Sequence, residues 1–415
     1  MATPTKDDGD RLGARLRALR EQRAWSLREV AARAGVNHGY LSQLERGEVA
    51  EPTPSMLHKL AHGYGQPFIV LMRWAGYVEE EPGLTANHAR ALSYLGDNPT
   101  DAEVDAIQAI LEVIREKRAT FAECAQSLDA PLSIQDQREI AARVQRLLHR
   151  ADAFRVIPTP LDQILDVSQL VVAGEISLDR DERQRLRKRF GVMLDRVLER
   201  LQGAIHFRAR EVWVKPDLYV LRKRFVTAHE IGHHVLEWQR DAIAYLDDEE
   251  RLRPDVRISY ERQANQAAIE LLAQGDELRR RADDSRLTFA LLSELSDEFQ
   301  ISFQAISRRV VEDSKQQTAL AIRFRGTSGR MGPYHTYCSS SFGQRSGWHA
   351  TGLPDEARAA VRRAIYDGHP AVVDVSGYGR VGVPITVETV DTPRAVLALF
   401  TTLGRRRWHK LSRAA

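Results

Sequence analysis

Apolar residues in the first part of the chain, residues 11–78, recur every three or four positions, which is the spacing of short amphipathic helices. Polar residues that favour helix starts and glycines that favour helix ends interrupt this pattern. We therefore predict five short helices with little chain between them. Their predicted limits are Arg11–Gln22 for the first, Ser26 to Gly35 for the second, Asn37 to Gly47 for the third, and starts at Pro54 and after Pro67 for the last two.

The second and third of these helices, joined by a tight turn at Gly35, have the helix-turn-helix arrangement. In this arrangement the second helix can enter the DNA major groove, where Gln pairs with adenine edges and His can donate to guanine. Arginines nearby can contact phosphates. The predicted DNA contacts are His38, Gly39 and Gln43 toward bases, Asn37 at the cap of the same helix, and Arg28 and Arg46 toward the backbone. The pattern leaves open a small helical domain that dimerises without binding DNA.

Three segments in this region closely resemble the phage-repressor-like (XRE) helix-turn-helix family: Ser26–Gly35, Tyr40–Gly47 and Pro54-Ser55. The resemblance extends over about 65 residues. Leu27 stands where the family often has Gln near the DNA backbone, and this departure weakens one expected phosphate contact. The resemblance implies a DNA-binding domain at residues 1–78.

A second feature is the segment Arg222–Trp238, which has the pattern of a helix with Phe225, His229, His233 and Leu236 on one face. Histidines four residues apart on a helix lie side by side, so both can bind one tetrahedral metal ion. Glu230 follows His229 in an H-E-x-x-H motif, where the glutamate takes a proton from water. The motif is short, and a helix with two surface histidines is the alternative.

The alternating stretch Ile205–Val214, upstream of the motif, predicts one or two strands. An edge strand beside the metal helix would let a zinc peptidase hold an extended substrate chain. Gly232, between the two histidines, leaves room for a close approach of another backbone.

A catalytic zinc site needs a third protein ligand and an open fourth position. A helix predicted over Tyr260–Ala273 offers two candidates, Glu261 and Glu270, between which spacing alone does not decide. Asn265 lies one turn from Glu261 and could orient it through a hydrogen bond.

Four segments together resemble the ImmA/IrrE metallopeptidases over about 150 residues: Ile157–Leu161, Arg224–His233, Glu261–Leu272 and, in a helix predicted over Leu295–Val311, Phe299–Ser302. The resemblance implies that His229, His233 and Glu261 bind the metal and that Glu230 is the catalytic base. Ala273-Gln274 stand where the family usually has Met-Pro, a departure that concerns the local loop. The additional His234 is expected to pack in neutral form or to form a hydrogen bond.

Two further regions have no decisive motif. Residues 79–135 contain an acidic, proline-containing link and an amphipathic helix predicted over Asp101–Arg118, which either packs on the protein or forms a dimer. Residues 315–415 predict a small α/β domain, either a ligand sensor or a dimerisation module, with a basic tail. Its predicted strands are Ala319–Phe324, Ala371–Val375, Pro384–Val390 and Ala395–Thr401, its predicted helix is Asp355–Asp367, and its predicted loops are Tyr337–Gly343 and Gly377–Gly379.

Composition is that of a globular protein: of 415 residues, 43% are hydrophobic and 28% are charged. The net charge is +3 for residues 1–78 and +9 for residues 315–415, with an acidic middle, so polyanions are expected at the ends. The two cysteines, Cys124 and Cys338, favour a reducing cytoplasm. Residues 1–10 lack the apolar core of a signal peptide.

These observations predict a multidomain, mainly α cytoplasmic protein with four parts. They are a five-helix phage-repressor-like domain (1–78), a helical link (79–135), an α+β zincin-like metallopeptidase domain (136–314) and a small α/β domain (315–415). We expect a homodimeric transcriptional regulator that binds operator DNA and uses Zn²⁺, or Mn²⁺, to cleave a repressor or itself, controlling stress or mobile-element genes. The alternative is a non-enzymatic transcription factor that senses a ligand or metal.

Overall fold

A computed structural model of the chain divides into two compact units. The first unit contains Met1–Phe154 and Pro160–Leu271, and the second contains Arg155–Thr159 and Leu272–Ala415. The structure describes residues 6–78, 119–122, 132–173, 184, 187–188, 202–206, 210–246, 252–283, 286–316, 318–325, 330–342, 353, 355–373, 385–393 and 395–402. Among these residues, no helix combines the length and the apolar character that crossing a bilayer requires.

The first unit begins with the five helices that the sequence predicts. They are α1 (Lys6–Gln22), α2 (Leu27–Ala34), α3 (His38–Glu45), α4 (Pro54–Tyr64) and α5 (Phe68–Trp74). Ser26 and Glu29 form a capping box at the start of α2, and Gly35 ends it with a φ of 63°, in the left-handed region. Asn37 caps α3 by accepting a hydrogen bond from the Gly39 amide at 2.7 Å. The first helix starts at Lys6, earlier than the predicted Arg11.

A buried ion pair fixes the end of α3 inside this bundle. The Glu45 carboxylate accepts hydrogen bonds from Arg20 at 2.7 to 3.1 Å and from the Tyr64 hydroxyl at 2.9 Å. Three helices, α1, α3 and α4, therefore meet at one carboxylate. The surrounding core consists of fully buried leucines, among them Leu12, Leu16, Leu41, Leu44, Leu57 and Leu60.

The rest of the first unit combines helices with a small sheet. Its helices are α6 (Ile134–Arg150), α7 (Leu161–Ser168), α8 (Val220–Val235), α9 (Glu237–Leu246) and α10 (Pro254–Ala273, the end of which belongs to the second unit), and its strands are β1 (Ala119–Ala122), β2 (Val171–Ala173), β3 (Gly203–His206) and β4 (Glu211–Val214). The strand order is β1-β3-β4-β2, with β2 parallel to β4 and the other pairs antiparallel.

The prediction of strands within Ile205–Val214 is confirmed, but neither is an edge strand. Both β3 and β4 are interior in the described sheet, because β1 pairs with β3 and β2 pairs with β4. The β1 strand comes from the segment that the sequence assigned to a link. The hydrophobic pattern within Ile205–Val214 predicts that these strands are buried. It cannot predict which strands pair with them, because β1 and β2 come from distant parts of the chain.

The helix-turn-helix bundle packs on the rest of this unit through α4 and α5. The Ser55 hydroxyl, on α4, donates to the Asp136 carboxylate of α6 at 2.8 Å, and both residues are buried. Lys59 of α4 pairs with Glu139 of α6. His58 of α4 lies 3.1 Å from Asp241 of α9. The bundle is thus held by polar contacts to two different helices.

The second unit contains helices α11 (Gly275–Asp283), α12 (Phe289–Phe299), α13 (Phe303–Asp313) and α14 (Asp355–Asp367), and strands β5 (Thr318–Arg325), β6 (Met331–Cys338), β7 (Ala371–Val373), β8 (Ile385–Asp391) and β9 (Ala395–Thr402). The strand order is β6-β5-β9-β8-β7, and every pair is antiparallel. The predicted α/β domain is therefore wrong in type, since a parallel α/β sheet would need crossover connections. The arrangement is α+β.

Two other predictions in this unit need correction. The helix predicted over Leu295–Val311 is two helices, because Gln300 adopts a φ of 54° and ends α12, and Ser302 caps α13. Tyr337 and Cys338, predicted as loop, are the end of strand β6. This strand contains Pro333 and forms an edge of the described sheet, where a missing amide donor is tolerated.

Gln274, at the departure from Met-Pro, has a structural role. Its side-chain oxygen accepts from the Arg155 amide at 2.6 Å, and its nitrogen donates to the Val156 carbonyl and to Thr159, each at 3.0 Å. It therefore ties the segment 155–159 to the end of α10. The predicted helix Asp101–Arg118, Cys124, the loop Gly377–Gly379 and the basic tail lie outside the described residues.

Candidate metal centre and DNA-contacting surface

Helix α8 carries the H-E-x-x-H motif in its last turns, and the side chains of the motif point into the protein. His229 is 1% exposed, Glu230 is 0% exposed and His233 is 4% exposed. The alternative of a helix with two surface histidines is therefore excluded. The helix ends at Val235, not at the predicted Trp238, because the backbone turns at Leu236 (ψ 89°) and restarts as α9.

Gly232 sets the distance between α8 and α10. A Cβ atom placed on Gly232 would lie 2.8 Å from the Ala264 carbonyl oxygen and 3.1 Å from the Ala267 Cβ, which is closer than normal packing allows. Only glycine lets the two helices approach this closely. The close approach brings Glu261, one turn before Ala264, to the histidines.

Three ligand-type side chains converge at this point. His229 Nε2 lies 3.2 Å from one Glu261 carboxylate oxygen, His233 Nε2 lies 3.4 Å from the other, and the two Nε2 atoms are 3.1 Å apart. Zinc ligands about 2.0–2.1 Å from a tetrahedral ion lie about 3.3 Å from one another. The donor set and its spacing therefore fit one zinc-sized cation. Glu270, the other candidate, is absent from this cluster in the described part of the chain.

Each histidine is held from behind by an amide side chain. His229 Nδ1 lies 3.1 Å from Asn265 Oδ1, and His233 Nδ1 lies 2.8 Å from Gln239 Oε1. Sequence spacing had suggested Asn265 as a partner of Glu261; it instead contacts His229. Gln239 was not predicted, since its approach to His233 depends on the turn at Leu236.

The electrostatics of the cluster favour the protonation states that bind a metal. Burial lowers the pKa of the His229 imidazole, in spite of the opposing hydrogen bond with Glu261. Burial alone would raise the pKa of the Glu261 carboxyl, but the charge of His233 and the hydrogen bonds with both histidines lower it. A neutral imidazole and an ionised carboxylate are the forms that ligate metal ions.

Glu230 and His234 flank the ligands along the helix. Glu230 lies roughly 100° further round the helix than His229 and is fully buried. Burial lowers the pKa of His234 to about 4, with a smaller contribution from Arg240. His234 is thus neutral at neutral pH, in agreement with the expectation for it.

The predicted DNA-contacting residues lie along α3, from its cap Asn37 to Arg46 just after its end, and on the neighbouring α2. Asn37, His38 and Gln43 are exposed, whereas Gly39 is partly buried. The two predicted phosphate contacts, Arg28 and Arg46, are also exposed. Arg46 differs from Arg28 in being paired with an acidic side chain. Its guanidinium donates to the Glu48 carboxylate at 2.6 and 3.0 Å.

Two family models match separate parts of the chain: a helix-turn-helix domain at residues 11–69, and an IrrE N-terminal-like domain of peptidase family M78 at residues 187–311. Among curated proteins, the chain is 40% identical over 68 residues to the HTH-type transcriptional repressor RghR of Bacillus subtilis (16% of this chain, 50% of RghR). It is 44% identical over 57 residues to the HTH-type transcriptional regulator SutR of Escherichia coli (14% of this chain, 32% of SutR).

The chain thus spans half of RghR and about a third of SutR. A solved structure of a Mycobacterium tuberculosis transcriptional regulator is 12% identical, with 64% of this chain and 76% of that chain covered and a TM-score of 0.38. That score is too low to show a shared fold. The family matches, in contrast, agree with both resemblances seen in the sequence: the chain carries a helix-turn-helix domain of XRE type and an IrrE/ImmA-like domain of peptidase family M78.

Proposed function

We propose that this protein is a DNA-binding transcriptional regulator that contains a zinc-dependent endopeptidase. The observation that carries the enzymatic part is the convergence of His229, His233 and Glu261 next to the buried Glu230. Three protein ligands leave a fourth position for water or substrate, as catalytic zinc sites do. The helix-turn-helix match and the exposed polar residues of α3 support the DNA-binding part.

The chemistry of the site follows from its side chains. His229, His233 and Glu261 would hold the ion, and Mn²⁺ is a second candidate for such donors. A bound zinc ion would supply Lewis acidity toward a peptide carbonyl and toward the attacking water. Glu230 accepts a proton from this water and then donates it to the leaving amine.

The substrate we propose is a repressor protein of the XRE type, cleaved to release stress or mobile-element genes. Cleavage occurs either in a separate repressor or in this chain, within residues 79–135. In the regulator as proposed, the homodimer binds a double-stranded operator in the cytoplasm. The basic character of residues 1–78 supports an encounter with DNA.

The test of catalysis is the Glu230→Gln variant, which keeps the shape of the side chain and removes its proton acceptor. Zinc-loaded wild-type protein and variant are incubated with and without DNA and with a candidate repressor, and fragments are identified by mass spectrometry. We expect fragments from wild type only, with equal zinc content in both proteins. Equal cleavage by the variant would refute the role of Glu230, and an unchanged full-length chain in every sample would refute self-cleavage.

A second candidate function is metal sensing without cleavage. It is favoured by α9, which contacts His233 through Gln239 and the helix-turn-helix bundle through Asp241. Metal uptake could therefore alter the support of α4. The test is DNA binding by Glu230→Gln, with and without zinc, to DNA from upstream of its own gene. A zinc-dependent change in affinity in this variant supports sensing, and an identical affinity in both states refutes it.

A further inference from the structure

Gln239 is fully buried and stands at the centre of a chain of hydrogen bonds behind His233. Its Oε1 lies 2.8 Å from His233 Nδ1. Its Nε2 donates to the Tyr260 carbonyl oxygen at 3.0 Å and to Gln263 Oε1 at 3.0 Å. Gln263 Oε1 also accepts from the Trp238 indole N–H at 2.8 Å. All of these groups are removed from solvent.

The direction of every hydrogen bond in this chain is fixed by its two ends. A backbone carbonyl, such as that of Tyr260, can only accept, and an indole N–H, such as that of Trp238, can only donate. The Gln263 oxygen must therefore face Trp238, and the Gln239 nitrogen must face Tyr260. An exchange of oxygen and nitrogen in either amide would place two donors or two acceptors in contact.

The fixed amide in turn decides the tautomer of His233. Because Gln239 presents an oxygen, a neutral His233 must carry its proton on Nδ1, and Nε2 then has a lone pair. That lone pair faces His229 Nε2 at 3.1 Å and a Glu261 oxygen at 3.4 Å, so acceptor atoms converge there. A cation satisfies such a cluster of acceptors.

We propose that Gln239 is a positioning residue for the metal centre, which sets both the tautomer and the ring orientation of His233 before a metal ion binds. The proposal rests on the proposed metal site. It assigns to Gln239 the task that carboxylates or backbone carbonyls perform behind many metal-binding histidines. The tautomer and ring orientation of the other histidine, His229, are less tightly determined. Its partner Asn265 is only partly buried and lies 3.1 Å from it.

The position of Gln239 in the fold explains why it can do this. Had α8 continued past Trp238 as a regular helix, a residue six positions after His233 would lie roughly 120° round the helix from it and almost two turns further along. The turn at Leu236 starts α9 in a new direction and returns Gln239 to His233. The turn at Leu236 therefore helps to position the metal centre, because it brings Gln239 to His233.

The experiment compares three variants of the full chain: Gln239→Leu, Gln239→Glu and, as the control, Tyr64→Phe. Tyr64 is also fully buried and donates a hydrogen bond to Glu45 at 2.9 Å inside the helix-turn-helix bundle, outside the chain of hydrogen bonds behind His233. Zinc affinity is measured by competition with a chromophoric chelator, and thermal unfolding is measured on the metal-free proteins. Cobalt-loaded samples report the coordination geometry through their visible absorption.

We expect Gln239→Leu to bind zinc about 10–100-fold more weakly than wild type and to change the cobalt spectrum. Tyr64→Phe should lose thermal stability while its zinc affinity stays close to that of wild type. Gln239→Glu keeps an acceptor for His233 but sets its second oxygen against the Tyr260 carbonyl, so it should recover only part of the affinity. Unchanged affinity in Gln239→Leu, or an equal loss in Tyr64→Phe, overturns the proposal. Wild type that binds no zinc overturns the metal site itself.

Discussion

Ser55 and Asp136, which are 81 positions apart in sequence, share a buried hydrogen bond of 2.8 Å between the helix-turn-helix bundle and helix α6. Asp136 also accepts from the Ser133 hydroxyl at 2.8 Å, while Ser133 caps α6. A single carboxylate therefore joins the start of one helix to the start of another. The helix-turn-helix bundle is consequently part of the fold of the first unit.

Substitution of this pair tests how strongly the bundle is held. We expect Ser55→Ala to lower the free energy of unfolding by about 1–3 kcal/mol, because it leaves a buried carboxylate without one of its donors. Urea denaturation measures the effect. In a double-mutant cycle with Asp136→Asn, the two losses should not add; additive losses would mean that the two side chains do not interact.

Gly232→Ala tests the close approach of α8 and α10. The added Cβ would meet the Ala264 carbonyl oxygen at 2.8 Å, so the helices must separate and Glu261 must move away from the histidines. We expect zinc affinity to fall at least tenfold, a loss typical of a disturbed metal site. The control is Thr227→Ala on the same helix, since among the described residues the Thr227 hydroxyl bonds only to the Lys223 carbonyl in its own helix. Equal zinc affinities for Gly232→Ala and wild type would contradict the prediction.

Acid should weaken the contact between α4 and α6 through Glu139. Burial alone would raise the pKa of this carboxyl, but the Lys59 ammonium and the Arg143 guanidinium hold it below its ordinary value of 4.5. A lowered pKa means that the ionised form stabilises the fold above pH 4.5 and that this contribution is lost as pH falls below it. Denaturation series at several pH values should show a smaller loss below pH 4.5 for Glu139→Gln than for wild type. If the free energy of unfolding falls equally with pH in wild type and in Glu139→Gln, this contribution of Glu139 is ruled out.

Arg28 and Arg46 should contribute unequally to DNA binding. Both are exposed near α3, but Arg46 is already paired with Glu48, whereas Arg28 has no ion pair among those described. We expect Arg28→Ala to weaken binding to all DNA sequences and to reduce the salt dependence by about one phosphate contact. Arg46→Ala should have a smaller effect. Fluorescence anisotropy at several salt concentrations measures the DNA affinity of both variants. A larger loss of affinity in Arg46→Ala than in Arg28→Ala would contradict the prediction.

The local features of the chain could be predicted from sequence because their causes are local. Ser26, Gly35 and Asn37 determine helix ends through their own backbone and side chains. The spacing of His229 and His233 likewise places both rings on one face of a helix without any information on the rest of the fold. Gly232 was predicted to permit a close approach, and the structure identifies α10 as the neighbouring backbone.

Features that depend on distant partners were not predicted. The role of Gln239 requires the turn at Leu236, which no glycine or proline marks. The β1 strand belongs to the sheet only because β3 lies beside it, some 80 positions later. The antiparallel order of the second sheet was not predicted either, because β5 and β9 read as nearly continuous buried runs, the pattern usual for parallel strands covered on both faces.

The contacts of helix α4 limit how this protein can be recombined with others. A graft that exchanged residues 1–78 for another DNA-binding domain would leave the carboxylates of Asp136, Glu139 and Asp241 facing a foreign surface. Successful chimeras would have to retain Ser55, His58 and Lys59 or replace both sides of the boundary together. The same requirement would apply to natural domain shuffling. The helix-turn-helix domain and the M78-like domain are expected to be inherited together.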